Sequence, residues 1–514
     1  MTCSQLFAVP KPDGSARPIL NLSDRRHTDR SVNDDINPFW RTVSYVQQKE
    51  IIETLLAVGR GAFMWAKDLV DGFYNVAIRA SDVALLGFYF DKQIYLFQVL
   101  AMGLGSAPRI FDKFMQFPMW AIRHDKPELY FETVPFSQEI ASHFRSNSDI
   151  SYDPPTKTLS IPLCQNYADD IFGVHRDYDK AKEQWNHAEK VLRAFSLRTN
   201  QKKGRGPARI QVLLGFEYNS LRLEVRLGDE KYHKYRRRIT DILENGTRYI
   251  DAHDLLSIIG QARHMGSIYR PLNAFARGLE KYIYDGRGQL RFKQIHISDA
   301  VKQDLFFLRR AMDRCNKYGT PYAYFVRNPK RHDIVCWTDA SLTVGVGGYS
   351  TANSFFQHKW TDIALTKPEQ KDINWREMAA IHSMLFMLYD QLGSDGLVDK
   401  NIRVWTDNMS CKWWLQKMSA KIYRPDVQAM INQICDLCIV LRLHLWMDHI
   451  PGKDNIVADA LSRFFTDPFG TCTIDCKQYD TTAHLERAVK AAEPFNIKTK
   501  YLEFEDDDES PSTD

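Results

Sequence analysis

The chain has 514 residues, 44% of them hydrophobic and 26% charged, with a formal net charge of +4; that length suggests roughly three or four domain-sized units with real cores. No uninterrupted apolar run approaches the roughly 18 residues of a membrane span, and the opening "MTCSQLFAVP" lacks the basic-then-apolar layout of a signal peptide. Composition therefore argues against a membrane or secreted protein and for an intracellular one, cytoplasmic and/or nuclear. Nine scattered cysteines do not resemble a disulfide framework, so free thiols are expected, with Cys435 and Cys438 in "INQICDLCIVL" read as core packing and Cys472 with Cys476 lacking the second pair a zinc site needs.

In chain order, alternation of apolar and polar residues predicts strands or hairpins over 62–70, 85–99 and 167–174. Segment 132–160 is polar, rich in turn formers and without a clear period, and reads as an inserted surface element. Helical periodicity marks 177–196 and 251–283, and a second run of strands opens at "DIVCWTDASLTVGVGGYS", where a new domain should begin. The chain finishes in "YLEFEDDDESPSTD", which reads as disordered. Without that acidic tail the body is distinctly positive, with basic runs at 200–209 and 231–241, and suits a polyanionic partner; alone, each run is as well explained by a solvated helix face or loop.

The chemistry is concentrated in "QNYADDIFG", where Asp169 and Asp170 sit at the tip of an apolar hairpin. Turn formation alone would explain two carboxylates there. "MWAKDLVDGFY" delivers a third, Asp68, at the end of an independent apolar strand. Three ionised carboxylates at close range are tolerable only around cations, and magnesium is the expected guest, since two such ions form the clamp for in-line phosphoryl transfer.

The order of segments is more specific than any one of them. "FAVPKPDGSARPILNLSD", "AKDLVDGFYNVAI", "QVLAMGLGSAPRIFDKFM", "NYADDIFG", "FSLRTNQKK" and "VLLGFEYN" together resemble the fingers and palm of a reverse transcriptase, over roughly residues 5 to 280 with the helical stretch that follows. The resemblance implies that Asp68, Asp169 and Asp170 hold the metals, that Lys11 and Arg17 close on the incoming triphosphate, that Phe73 blocks a ribose 2′-OH, and that Gly103 in "GLGSAP" lets nucleotide and template approach the backbone. It implies that Lys203 protonates the leaving pyrophosphate, with Lys202 close enough to compete for the role. Met102 stands where the family often has Gln or Phe and is assigned no polar contact. "LLGFEY" resembles the primer-grip hairpin, and 259–283 resembles a thumb lying along a duplex.

The second half has its own acidic set: Asp339 in "CWTDASLTVGVGGYS", Glu377 in "NWREMAAIHSML", Asp407 in "VWTDNMSCKWWL", and His449 with Asp459 in "HIPGKDNIVADALSR". These resemble the ribonuclease H fold and its D-E-D-D metal site over about 331 to 464, with His449 on a loop that assists product release and Asn408 and Asn455 at positions that contact the hybrid. Asn408 reads equally well as a helix N-cap.

The expected fold is α/β (α+β): a right-hand polymerase of fingers, palm and thumb followed by a ribonuclease H-like mixed sheet. The expected domains are fingers and palm over 1–220 with an insertion at about 124–162, thumb over 221–290, connection over 291–330, ribonuclease H over 331–464, and an acidic, partly disordered tail over 465–514. The resemblance implies two Mg²⁺ per site, with Mn²⁺ a substitute, and as partners an RNA template, a DNA or RNA primer, the RNA–DNA hybrid and dNTPs. "RPILNLS", "GLGSAPRIF", "TDAS", "NWREM", "WTDN" and "HIPGKDNIVADALSR" look most like DIRS-type retrotransposons, with gypsy-type LTR elements and pararetroviruses next. Nothing resembles an aspartic protease or an integrase, and the start just before the fingers motif allows for a fragment of a longer polyprotein. The competing expectation is a domesticated, non-catalytic hybrid-binding relic, which would have little reason to retain all seven metal carboxylates.

Overall fold

A computed structural model of the protein describes residues 3–10, 14–25, 29–144, 149–246, 248–285, 289–290, 292–325, 332–365, 367–421, 424–464 and 477–490. Lys11, Cys472, Cys476 and the acidic end of the chain lie outside them. The chain divides into two compact units, Met1–Gly228 with Gly319–Arg327, and Asp229–Tyr318 with Asn328–Asp514. Helices and strands both contribute heavily to each.

Among the described residues, the first unit is built on four small sheets. At its centre, Arg205–Ala208, Phe63–Asp68, Asp170–His175 and Cys164–Tyr167 form one antiparallel sheet. The predicted strand over 62–70 and hairpin over 167–174 are thus neighbours. One face of this sheet is covered by helices Ala107–Asp125 and Tyr178–Ala194, which supply Phe111, Met115, Met119 and Ile122, and Ala181, Ala188 and Leu192 to the core. The positions recur at three, four or seven residues, so each helix presents one stripe to the sheet. Trp65 is fully buried in that layer and donates its indole N–H to Gln184 Oε1 at 2.9 Å. Gly173 on the neighbouring strand lies flat against it: a Cβ there would sit 2.5 Å from the Trp65 ring.

A second sheet in this unit orders Ala16–Asn21, Cys3–Pro10, Gly87–Phe90 and Gln93–Leu96, the last two being the strands expected in 85–99. A third orders Ile210–Leu213, Phe216–Asn219, Glu224–Leu227 and Thr320–Pro321. The short last strand is followed by Tyr322, wholly buried beside Tyr218. The segment at 132–160 is more regular than its composition suggests. Phe131–Pro135, Thr158–Pro162 and Ser151–Asp153 form a three-stranded antiparallel sheet, with Leu159 and Ile161 buried on one face and the Phe136 ring tilted against Tyr152 at 4.5 Å.

In the second unit, six strands are ordered His444–His449, Asn401–Thr406, Ile334–Ala340, Gly345–Ser350, Ser354–Lys359 and Lys477–Gln478. Pairing is parallel among the first three, antiparallel for the two that follow, and parallel again for the last. Within the stretch expected as a tail, Lys477–Gln478 adds the sixth strand beside Ser354–Lys359, and helix Thr482–Lys490 packs onto helix Ile373–Leu397, burying Leu485 and placing His484 Nε2 2.7 Å from Asp390 Oδ2. The helical stretch over 251–283 is two helices, Ala252–Gly266 and Leu272–Ile283, broken at Pro271, whose ring cannot continue a helix. The second of them packs on Pro425–Leu441, where Cys435 and Cys438 are buried. Among the described residues no helix is long and apolar enough to cross a membrane.

Candidate active sites

The sheet register of the first unit sets Asp170 directly opposite Asp68. Ala168, in the left-handed region at φ 50°, turns the hairpin, and the Leu69 N–H donates to the Asp169 carbonyl at 3.0 Å, tying the two strand ends together. The three carboxylates therefore come from strand ends whose apolar neighbours, Trp65, Ile171 and Phe172, are locked in the core. Burial, then the charges of Asp169 and Asp68, push the Asp170 carboxyl up to about 6. Burial also raises Asp169, with Asp68 adding to it and the charges of Lys203 and Arg17 opposing it. Carboxylates that resist ionisation in each other's company are a site in want of positive charge.

Part of that charge is present. Lys203 Nζ lies 3.1 Å from Asp68 Oδ2, and the backbone beneath it is fixed by an N–H from Asn200 to the Asp68 carbonyl at 2.7 Å. Lys202 makes no such contact with Asp68; its backbone N–H bonds the Asn200 side chain. Arg17 lies on strand Ala16–Asn21. Phe73, half-buried in the short helix Gly72–Asn75, meets Phe111 edge-on at 5.1 Å. Gly72 itself is a close approach, since a Cβ would stand 3.0 Å from Asp169 Cβ.

Gly103 has φ +106°, and a Cβ there would strike the Leu20 carbonyl oxygen at 1.8 Å. The turn is pinned by Asn33, whose Nδ2 donates to the Gly103 carbonyl and whose Oδ1 accepts from the Gly105 N–H, and by the Leu20 N–H bonding the Met102 carbonyl. Met102 thus contributes its backbone to the turn.

In the second unit, Asp339 is near the end of the central strand and Asp407 just past the end of its parallel neighbour, each two residues beyond the paired Trp337 and Trp405. Glu377 is delivered by the first turns of helix Ile373–Leu397. Their oxygens lie within 4.8 Å of one another, the one acidic trio drawn this close among the described residues. Glu377 is 3% exposed; its Oε1 accepts the Ala340 N–H at 3.2 Å, and its Oε2 is buried with no hydrogen-bond partner. Burial, then Asp339 and Asp407, raises its pKa well above the ordinary range. Burial lifts Asp339 to about 6 against the hydrogen bond from Ser462. An unpartnered carboxylate oxygen facing two more carboxylates suits a hard divalent cation, for which the donor set is all oxygen.

Asp459, on helix Ile456–Ser462, is not among those three. It influences Asp339 and Asp407 through its charge and pairs with Arg463 at 2.7 Å. His449 ends the strand beside Asp407, and its charge opposes the burial that raises the Asp407 pKa. Asn408 caps helix Met409–Lys417 through the Cys411 N–H and also bonds Asn374. Asn455 is buried and donates to the Thr338 carbonyl at 3.0 Å. Ser462, which sequence reasoning passed over, donates to Asp339 Oδ2 at 2.5 Å. Its only signal was a place one turn after Asp459 in "ADALSR".

Several solved structures resemble the chain at low identity. They include the foamy viral protease-reverse transcriptase dRH in complex with ds DNA (17% identity, TM-score 0.45, 87% of this chain and 65% of that one). The same foamy viral enzyme in complex with RNA/DNA hybrid gives 15% identity and a TM-score of 0.42, over 87% of this chain and 50% of that one. In complex with dsDNA it gives 17% and 0.45, over 87% and 77%. The chain thus spans less than two thirds of the length of the first two. No curated protein sequence matches it. Residues 9–217, which contain Asp68, Asp169, Asp170 and Lys203, match the family model described as reverse transcriptase (RNA-dependent DNA polymerase).

Proposed function

We propose that the chain is an RNA- and DNA-directed DNA polymerase that copies retrotransposon RNA into cDNA, and that its second unit cleaves the RNA of the resulting RNA–DNA hybrid as a ribonuclease H. The observation that carries the reading is the presence of one carboxylate group in each unit, at strand ends in the first and at strand ends with one helical glutamate in the second, with Asp169, Asp170, Asp339 and Glu377 raised in pKa by burial and by neighbouring carboxylates. The second cluster makes a purely polymerising enzyme the poorer account, because a hybrid-cleaving site completes the task a reverse transcriptase begins.

In the polymerase site, Asp68, Asp169 and Asp170 would hold Mg²⁺, or Mn²⁺ in its place. In the nuclease site Asp339, Glu377 and Asp407 would do so, with Asp459 joining once released from Arg463. When bound, the metal pair supplies charge neutralisation at the attacking and leaving oxygens. The chain's own residues supply the rest. Lys203 holds a proton beside Asp68 and is placed to deliver it to the departing pyrophosphate. Arg17 and Lys11 grip the triphosphate, Phe73 excludes a ribose 2′-OH by bulk, and the Gly103 turn presents bare backbone to the template. Ser462 orients Asp339, and His449 beside Asp407 helps the cleaved strand leave. Asn408 reaches the hybrid only with an amide already engaged in its cap, and Asn455 acts from beneath the site. The partners are then an RNA template, a DNA or RNA primer, the hybrid and dNTPs, met inside the cell. Motif likeness favours a DIRS-type element.

Primer extension on an RNA template with an annealed DNA primer, Mg²⁺ and dNTPs tests this, with template length followed in the same lane. Extension with template shortening is expected; Asp170→Asn should abolish extension and spare cleavage, and Asp407→Asn should do the reverse. Loss of both activities in either folded single variant would refute two separate sites. A folded, template-binding wild-type chain that neither extends nor cleaves would favour the non-catalytic relic.

A further inference from the structure

Asp68 and Lys67 are adjacent on one strand, so their side chains leave opposite faces. Asp68 points toward the carboxylate cluster; Lys67 points into the layer between sheet and helix, where only 3% of its side chain is exposed. Its ammonium lies over the Trp185 ring at 3.6 Å and donates to Glu189 Oε2 at 2.9 Å. An ammonium so placed needs a carboxylate, and Glu189 could be understood as that alone.

Glu189 does more. The oxygen that accepts Lys67 also accepts the Thr199 hydroxyl at 2.6 Å, while Oε1 accepts Arg193 Nε at 2.9 Å and Gln201 Nε2 at 3.3 Å. Gln201 Nε2 donates to Thr199 Oγ1 as well, at 2.9 Å. Thr199 and Gln201 flank Asn200, whose N–H holds the Asp68 carbonyl, and Thr199 bridges Leu69. Two residues further on is Lys203, with its ammonium on Asp68 Oδ2. From the rigid helix Tyr178–Ala194, one carboxylate thus fastens both the strand that carries Asp68 and the loop that carries Lys203. Trp185, one turn earlier, closes the same joint: a Cβ at Gly204 would come within 3.0 Å of its ring.

We propose that Glu189 is a positioning residue of the polymerase site, holding Lys203 against Asp68 by clamping Lys67, Thr199 and Gln201 from the opposite face of the sheet. The proposal rests on the polymerase reading for its consequence in catalysis, but the placement of Lys203 can be measured without it. A displacement of the proton donor by about an ångström is enough to cost roughly a hundredfold in rate.

The test uses the full chain with Glu189→Ala, Glu189→Gln, and Lys67→Met combined with Glu189→Ala. Single-turnover dNTP incorporation should slow roughly 10- to 100-fold in Glu189→Ala, with affinity for primer–template and dNTP changed less than about twofold. Glu189→Gln, which still accepts the Thr199 hydroxyl, should recover much of the rate. Lys67→Met with Glu189→Ala should stay slow, because the loop remains unfastened. Full recovery in that double variant would reduce Glu189 to a counter-ion for Lys67 and overturn the proposal, as would a wild-type rate in Glu189→Ala. The independent readout is acylation of Lys203 by an amine-reactive ester, located by mass spectrometry. It should rise several-fold in folded Glu189→Ala. Unchanged labelling overturns the proposal whether or not DNA synthesis is seen, whereas a wild-type chain that extends no primer yet shows the labelling change defeats only the polymerase reading.

Discussion

Glu377 shows how a single residue can work against its own fold. Burial and two neighbouring carboxylates raise its pKa well above the ordinary range, so in the metal-free protein folding takes up a proton there. A raised acid favours the folded state fully at low pH; as pH climbs from about 4 that advantage is lost, until the folded-state pKa is passed. Asp170 and Asp339, each lifted to about 6, follow the same course between about pH 4 and 6. Glu377→Gln removes the penalty without changing shape. In metal-free urea denaturation it should stabilise the protein by about 1–3 kcal/mol at neutral pH and by little near pH 4, while abolishing hybrid cleavage. Equal stability of variant and wild type at both pH values would show that Glu377 is not buried as described. Asp170 and Asp339 were legible in the sequence because a carboxylate at the end of an apolar strand breaks the local pattern, and Glu377 because it stands in "NWREM" near the start of a helix. Ser462 and Glu189 were not, for each acts through hydrogen bonds to partners distant in the chain and sits in an ordinary helical context.

Elements were legible where periodicity was strong. The strand at Asp68 and helix Tyr178–Ala194 fall within the predicted ranges, and the YADD hairpin, Cys164–Tyr167 with Asp170–His175, overruns the predicted 167–174 at both ends. The insertion was opaque because its strands are short and only one, Thr158–Pro162, buries a clear alternating face. The sixth strand and the helix Thr482–Lys490 were hidden by the polar composition around them; Leu485, Ala488, the contacts of His484 with Asp390 and of Asp480 and Thr481 with His358, and a two-residue strand pairing are too scattered to show as a pattern. The glycine turn was legible as a motif, though not its reason. That reason is steric: with φ +106° and the Leu20 carbonyl in the way, Gly103→Ala has to move backbone. It should cost about 2–4 kcal/mol and slow primer extension by more than tenfold, read by thermal melting and single-turnover kinetics. A melting temperature within a degree or so of wild type would mean the turn relaxes freely.

For the whole molecule, order along the chain and membership of a unit are different things. Gly319–Arg327 belongs to the first unit although Asp229–Tyr318, which precedes it, belongs to the second. Domain boundaries drawn along a sequence have no means of showing such a return, since nothing in "GTPYAYF" is unusual. Its anchor is Tyr322, wholly buried beside Tyr218, with the Tyr322 N–H bonding the Leu223 carbonyl at 2.7 Å. Tyr322→Ala should destabilise the first unit by about 3–5 kcal/mol, seen as faster amide exchange over Phe216–Asn219 and Glu224–Leu227, and Tyr322→Phe should be close to neutral because the hydroxyl has no protein partner. Unchanged exchange in Tyr322→Ala would show that the returning segment is dispensable.

That return also sets a schedule. A ribosome releases the carboxylates of the first site long before it reaches Tyr322, so the nascent polymerase-like unit must wait, one sheet still short of its last strand, while the helices of the other unit emerge. Domains generally fold as units in the order they are synthesised. Here the earlier one is finished by residues made after part of the later one, and for that interval its exposed sheet edge is open to chaperones, or to the corresponding edge of another nascent chain.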